Sequence, residues 1–144
     1  MNPLEECFSK GLLKKTVKSR SMAVQDLKQA EFFLSEALDL IGLKKKEMAS
    51  IALYNAVFHA ARSLLFKDGI KERSHYCIQK YLEHNYEKTG LLSGQETALF
   101  DILRGIRQEV QYGVVKIRFE EDLGELCDKT EKLIQKIQKI INKP

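Results

Sequence analysis

Two groups of polar side chains in this sequence have spacings that could support chemistry. The first lies in the apolar segment 50–66, where Asn55, His59 and Arg62 are spaced at i, i+4 and i+7. If the segment is a helix, this spacing places all three side chains on one side of it. Because buried polar groups need hydrogen-bond partners, the stripe predicts either a structural polar network or the wall of a binding groove.

The second group lies in segment 94–112, which also has helical periodicity. At about 100° per residue, four side chains fall within roughly a 100° arc of a helix, with a tyrosine beside them: Arg104, Arg107, Gln108, Gln111 and Tyr112. Two guanidinium groups and two amides on one face are suited to binding a phosphate or a carboxylate. A solvated face without a ligand is the alternative, and the sequence leaves both open.

The common catalytic and metal-binding motifs are absent from the sequence. It has no glycine-rich phosphate loop, no H-E-x-x-H motif and no cluster of Cys and His at metal-ligand spacing. We therefore expect neither a metal site nor a cofactor. The three cysteines, Cys7, Cys77 and Cys127, are odd in number and widely spaced, so we predict no disulfide framework and a reducing compartment.

Composition bounds the class of protein. A chain of 144 residues with 44% apolar and 31% charged residues fits one globular domain. No stretch approaches the roughly 20 apolar residues of a membrane span, so we expect no membrane association and, by elimination, a cytoplasmic location. Residues 1–20 hold five basic and two acidic residues, a charge of +3 out of +4 in total. This basic end can attract RNA or an acidic partner, or simply be solvated.

Periodicity and glycines predict the secondary structure. Gly42, Gly69, Gly90 and Gly113 each follow a segment with helical periodicity and are expected as left-handed caps. Helices are therefore predicted at 22–41, 46–67, 73–88, 94–112 and 119–142, with a shorter one within 3–18 that has Asn2 as its N-cap and Pro3 at its first position. Residues 93–96 (SGQE) match a capping box at the start of the helix at 94–112. The last helix carries an apolar stripe, at Leu123, Leu126, Thr130, Leu133, Ile137 and Ile140. With no alternating strand segment, we predict an all-α, antiparallel up-and-down bundle of four to five core helices.

Two segments resemble the HEPN superfamily. Residues 52–65 (ALYNAVFHAARSLL), with the turn at 67–70 and the Ser-His pair at 74–75, resemble the central helix and following turn of small stand-alone HEPN proteins. Residues 103–113 (LRGIRQEVQYG) resemble their final motif, an arginine helix closing on Ala-Asp-Tyr or its variants. The likeness covers about residues 22–141. We therefore expect a HEPN-like bundle domain at 21–144, preceded by a basic extension or short helix at 1–20.

The resemblance implies a homodimer in which two copies of the last motif meet in a cleft. Many members pair with a small nucleotidyltransferase in toxin–antitoxin systems. Active members are metal-independent endoribonucleases with an arginine, four to six residues and then a histidine, where arginine steadies the phosphate and histidine acts in acid–base catalysis. Here those intervals lead from Arg107 to Tyr112 and from Arg104 to Gln111. Neither side chain is a proton shuttle at neutral pH.

The sequence thus favours a non-catalytic HEPN binding module with a degenerate ribonuclease motif. It would bind a nucleotide, an RNA phosphate or a nucleotidyltransferase partner. The expected ligand-binding residues are Arg104, Arg107, Gln108, Gln111 and Tyr112, supported by Asn55, His59, Arg62 and His75. One alternative is an active endoribonuclease in which His59 or His75 arrives in space to replace the missing histidine. Another is a helical adaptor that docks a partner on the stripe of the last helix.

Overall fold

The computed structural model describes residues 1–113 and 122–143. Within these ranges the chain forms six α-helices and one two-stranded sheet, in the order α1 (Pro3–Ser9), β1 (Leu13–Lys15), α2 (Arg20–Gly42), α3 (Lys46–Asp68), β2 (Ile70–Glu72), α4 (His75–Leu82), α5 (Gly94–Tyr112) and α6 (Leu123–Asn142). A π-helical turn, Glu83–Glu87, continues α4. The predicted all-α bundle is confirmed, while the part of the predicted last helix at 119–121 lies outside the described residues.

Side-chain caps fix the starts of several helices. At α5, the Ser93 hydroxyl accepts from the Glu96 N–H at 3.1 Å, and the Glu96 carboxylate accepts from the Ser93 N–H at 2.8 Å, a complete capping box. Asn2 caps α1, with Pro3 in the first turn, as predicted. Asp122 caps α6 by accepting from backbone N–H groups of its first turn.

The glycines end the helices in two different ways. Gly69 and Gly90 adopt the predicted left-handed conformation, with φ of +75° and +79°. The prediction is wrong at Gly42, which belongs to α2, because Lys44 takes the left-handed conformation at φ +61° instead. It is also wrong at Gly113, which is extended at φ −73° and ψ 143°. A chain that leaves α5 in an extended direction needs no left-handed residue.

The N-terminal segment differs from its prediction. The helix expected within 3–18 ends at Ser9, because Gly11 takes φ +72° and reverses the chain. Residues Leu13–Lys15 then pair antiparallel with Ile70–Glu72, a short ribbon that the sequence did not indicate. Three-residue strands are too short to produce a visible alternation of apolar and polar residues, which is why the sequence pattern did not reveal them.

Cys7 of α1 and Cys77 of α4 form a disulfide and are both buried. The prediction of no disulfide is therefore wrong, since the partners are 70 residues apart and form no recognisable spacing motif. Cys127 is free, and burial raises the pKa of its thiol to about 11. Because disulfides are rare in most reducing compartments, the cysteines no longer support the predicted reducing environment.

The central helix of the bundle is α3, which packs against α2, α5 and α6. Ala23, Ala30 and Ala37 recur every seven residues on α2 and are fully buried. Their small side chains let α2 approach α3 closely. The stripe predicted on α6 is buried from Leu123 to Ile140, so it packs within the bundle and leaves no apolar face there for an adaptor role. None of the helices in the described ranges is long and apolar enough to cross a membrane.

Candidate phosphate-binding site

Arg104 and Arg107 lie one turn apart on α5, on the side that meets α3. The Arg107 guanidinium carbon is 4.9 Å from the centroid of the Tyr54 ring on α3. Its Nε donates a hydrogen bond to Gln111 Oε1 at 2.8 Å, so these two side chains share a face as predicted. Arg104 donates to Asp101 Oδ1 at 3.2 Å. Both arginines are half-buried, which brings two cationic groups against one wall of the bundle.

The structure does not bring all five predicted α5 residues together. Like Gln111, both Gln108 and Tyr112 are exposed, and 71% of the Tyr112 surface is accessible. Within the described ranges, neither side chain makes a hydrogen bond to the arginines. The clustered residues of α5 are therefore Arg104, Arg107 and Gln111, while Gln108 and Tyr112 lie at the solvent-facing edge.

His75 enters this cluster from α4 through Tyr54. The Tyr54 hydroxyl and His75 Nδ1 are hydrogen-bonded. The His75 ring also packs on Phe58, with ring centroids 4.6 Å apart. His75 is the first residue of α4, and Ser74 caps that helix by accepting from the Cys77 N–H at 3.2 Å. We refer to Tyr54, His75, Arg104 and Arg107 together as the arginine–tyrosine cluster.

Burial and the neighbouring charges determine the protonation states of Tyr54 and His75. Burial raises the pKa of Tyr54 to about 12, although the charges of Arg107 and Arg104 act to lower it. The hydroxyl is therefore neutral at pH 7. Burial, and then the charges of the same two arginines, lower the pKa of His75, so its imidazole is also neutral.

The tautomer of His75 follows from its hydrogen bond. A phenol is a stronger donor than an imidazole N–H, and an imidazole nitrogen is a stronger acceptor than a phenol oxygen, so we assign Tyr54 as the donor to Nδ1. The ring hydrogen of neutral His75 then lies on Nε2. This leaves one N–H donor beside two guanidinium groups, an arrangement that can bind an oxyanion.

The three residues of the polar stripe predicted on α3 do not all contact the same partner. His59 donates from Nδ1 to Asp26 at 2.7 Å, and Arg62 donates to the same carboxylate at 2.8 and 3.0 Å. Asp26 is 4% exposed. Burial acts to raise the pKa of Asp26, but hydrogen bonds from His59 and Arg62 outweigh it and lower that pKa. We call these three residues the Asp26 network. Asn55, the third member of the stripe, is half-buried and takes no part in it.

Sequence reasoning missed two residues that organise these clusters, Tyr54 and Asp26. Each had a usable signal. A tyrosine on an otherwise buried helix needs a partner for its hydroxyl. Asp26 interrupts an apolar face of α2 formed by Ala23, Leu27 and Ala30, where a buried acid must find donors. Which donors those are could not be known before α2 and α3 were placed together.

The fold and the site together define a class of protein, a helical bundle in which α5 presents arginines toward the aromatic side chains of the central helix α3. The model of the HEPN domain family matches residues 24–141, and the chain belongs to this family. No curated protein matches the chain. Membership supports a role related to nucleotides, RNA or ribonuclease-type function in general. Within the described ranges, no three His, Cys, Asp or Glu side chains come together as a metal-ligand group.

Proposed function

We propose that this protein is a HEPN binding module that holds a phosphate group of RNA or of a nucleotide at Arg107, Arg104 and His75. The observation that carries the proposal is the surroundings of Arg107. It forms no ion pair with a described residue, and its neighbours, Tyr54 and Gln111, are both neutral. A half-buried guanidinium with neutral neighbours keeps N–H groups available for an anion.

Arg104 supports the same proposal. Its partner Asp101 is 59% exposed, so this ion pair stabilises the fold little. The Nε of Arg104 is buried and has no hydrogen-bond partner among the described residues. A buried donor without a partner costs free energy, which a charge-assisted hydrogen bond to a phosphate would offset after a small rotation of the side chain.

Endoribonuclease activity is the second candidate function, and the position of His75 favours it. This histidine lies beside Arg107 in space although no histidine follows an arginine at the required sequence interval. The assigned tautomer argues against it. Nε2 carries a hydrogen and Nδ1 is occupied by Tyr54, so neither nitrogen is free to accept a proton from a 2′-hydroxyl. Binding therefore ranks above cleavage.

The partners belong to the proposal as well. A homodimer through α5 is supported by the exposed aromatic side chain of Tyr112, at the edge of the face of that helix that carries the arginines. Two copies of α5 would bring two arginine–tyrosine clusters into one cleft. A nucleotidyltransferase partner in a toxin–antitoxin-like system, and a cytoplasmic location where RNA is available, are proposed from family membership alone.

The test is RNA binding by the Arg107→Gln variant. We expect the Kd for a labelled single-stranded RNA of about 12 nucleotides to rise about tenfold or more, since a charge-assisted hydrogen bond contributes about 1.5–3 kcal/mol. Fluorescence anisotropy measures it. Lys132→Gln, which removes one exposed charge from α6, is the matched control and should bind nearly as the wild type does.

An unchanged Kd in Arg107→Gln would contradict the proposed site. The same RNA incubated with the wild-type protein in EDTA tests the second candidate. If the wild type cleaves the RNA and neither Arg107→Gln nor His75→Gln does, the protein is a ribonuclease and the tautomer assigned to His75 is wrong.

A further inference from the structure

The segment that precedes the family-matched residues 24–141 contributes β1, which pairs with β2 to form a two-stranded ribbon beside the bundle. Leu13 and Ile70 are buried, whereas Lys14 and Lys71 are exposed and stand directly opposite each other in the register. Opposite side chains have Cβ atoms about 5 Å apart, where like charges destabilise the pairing. Neither lysine forms an ion pair within the part of the chain that the structure describes. The ribbon thus keeps an uncompensated positive pair on its outer face.

Arg73 extends this positive face toward α4. Its N–H donates to the Leu12 carbonyl at 2.8 Å, which continues the pairing beyond β2. Arg73 is exposed and follows β2 directly, so its charge lies within two residues of Lys71 along the chain. Glu72 points the other way, with its carboxylate 3.9 Å from Arg62. We call Lys14, Lys71 and Arg73 the basic ribbon.

The ribbon is held in place by more than its own hydrogen bonds. A Cβ at Gly69, just before β2, would lie 2.7 Å from the Thr16 carbonyl oxygen, so the chain after β1 packs tightly against the end of α3. The disulfide between Cys7 and Cys77 ties the preceding helix α1 to α4. The positive side chains are therefore presented on a backbone that is fixed before any ligand binds, which lowers the entropic cost of binding.

The basic ribbon lies close to the arginine–tyrosine cluster along the chain. Lys71 and His75 are four residues apart, so their Cα atoms are at most about 14 Å from each other. A stacked strand with a rise of ~3.4 Å per nucleotide spans this upper limit with about four nucleotides. Lys14 and Lys15 also border a groove of about 640 Å³, which is lined by the half-buried ring of Phe8 and, among its charged residues, by one acid, Glu5. Cations beside an aromatic ring suit a nucleic-acid strand whose bases can stack.

From this continuity we propose that the basic ribbon binds backbone phosphates of a single-stranded RNA that extends from the phosphate held at Arg107. The ligand is then an RNA strand of several nucleotides, not a mononucleotide. This inference rests on the proposed function for the end of the strand at Arg107. Repeated phosphates suit the ribbon because lysine acts on them as a point charge and needs no fixed geometry.

The test compares two double variants that remove the same charge. Lys14→Gln/Lys71→Gln alters the ribbon, and Lys132→Gln/Lys139→Gln alters exposed positions on α6, which packs on α2, α3 and α5. For RNA of about 12 nucleotides, the ribbon variant should lose about tenfold in affinity near 0.1 M salt. Its plot of log K against log salt should flatten by about 1.4, the value for two lost phosphate contacts on a single strand.

The control double variant should lose far less, and both should keep the wild-type Tm. For RNA of about two nucleotides, measured by competition, the ribbon variant should bind as the wild type does. Lys14→Arg/Lys71→Arg should retain the affinity for the longer RNA. Equal losses in the two double variants would overturn the inference, because only net charge would then matter.

Unchanged RNA affinity in the ribbon variant would overturn it too, and would leave the lysines as protection against strand pairing or as a contact for an acidic protein. Arg107→Gln separates this inference from the proposed function. If the inference and the proposed function are both right, Arg107→Gln weakens the binding of the short and of the long RNA. If Arg107→Gln weakens the binding of neither RNA while the ribbon variant loses affinity, the ribbon binds RNA and the proposed site at Arg107 is wrong.

Discussion

Arg62 and Arg107 each lie against an aromatic ring on α3, and each has a histidine nearby, but their remaining neighbours differ. Arg62 and His59 converge on the buried carboxylate of Asp26. Arg107 and His75 instead converge on a tyrosine, whose hydroxyl stays neutral because burial raises its pKa. One cluster therefore contains its own anion, and the other contains two guanidinium charges and a neutral phenol.

This difference separates a structural network from a binding site. Asp26 accepts three hydrogen bonds, which leaves the network with no capacity for an external anion. The arginine–tyrosine cluster has cations without a buried acid among the described residues, so an anion from outside can complete it. Phe58 lies between the two, with its ring centroid 5.2 Å from His59 and 4.6 Å from His75. Similar residues a few ångströms apart are thus expected to respond differently to substitution.

The largest loss of stability is expected from replacing the carboxylate of Asp26. Asp26→Asn preserves the volume but leaves Arg62 without its buried counter-charge, and breaking such a pair costs about 3–5 kcal/mol of unfolding free energy. Urea unfolding followed by circular dichroism measures this. Arg107→Gln, which removes a cation from neutral surroundings, should change the unfolding free energy by less than about 1 kcal/mol. If the two variants lose equal stability, the contrast between the clusters fails.

The next largest loss of stability is expected from removing the disulfide that ties α1 to α4, the helix that begins at His75. Replacing both bridged cysteines, as Cys7→Ala/Cys77→Ala, should lower the unfolding free energy by about 2–4 kcal/mol, because the disulfide closes a long loop in the unfolded chain. Dithiothreitol should shift the urea midpoint of the wild type toward that of the double variant and leave the variant unchanged. A wild type insensitive to reductant would mean that the bridge does not form in solution.

The sequence predicted features set by neighbouring residues and missed those set by distant ones. The Ser93 capping box involves residues three apart, and the shared face of Arg107 and Gln111 involves residues four apart, so both were predicted. The partners of His59 and His75 are 33 and 21 residues away, and nothing local specifies them. The arginine face was therefore predictable as a face, whereas the absence of a buried carboxylate partner for it among the described residues became visible only once α5 was packed on α3.

The smallest effect, and the one that tests the arginine–tyrosine cluster most directly, is the pH dependence of His75. Its pKa is lowered in the folded protein, by burial first and then by Arg107 and Arg104. Above its ordinary pKa of about 6.5 the ring is neutral in both states and contributes nothing to pH dependence. As the pH falls through that value, the unfolded chain binds the proton first, so the stability of the folded protein decreases.

RNA affinity should change in the opposite direction. A phosphate at the cluster favours the protonated ring, so the RNA affinity should rise a few-fold as the pH falls from about 7.5 to 5.5, while the stability of the folded protein decreases. His75→Gln should remove both trends, and subtracting its values from those of the wild type cancels the titration of all other groups. If RNA affinity rises equally in His75→Gln, the ring does not meet the phosphate, and the site must be assigned to the arginines alone.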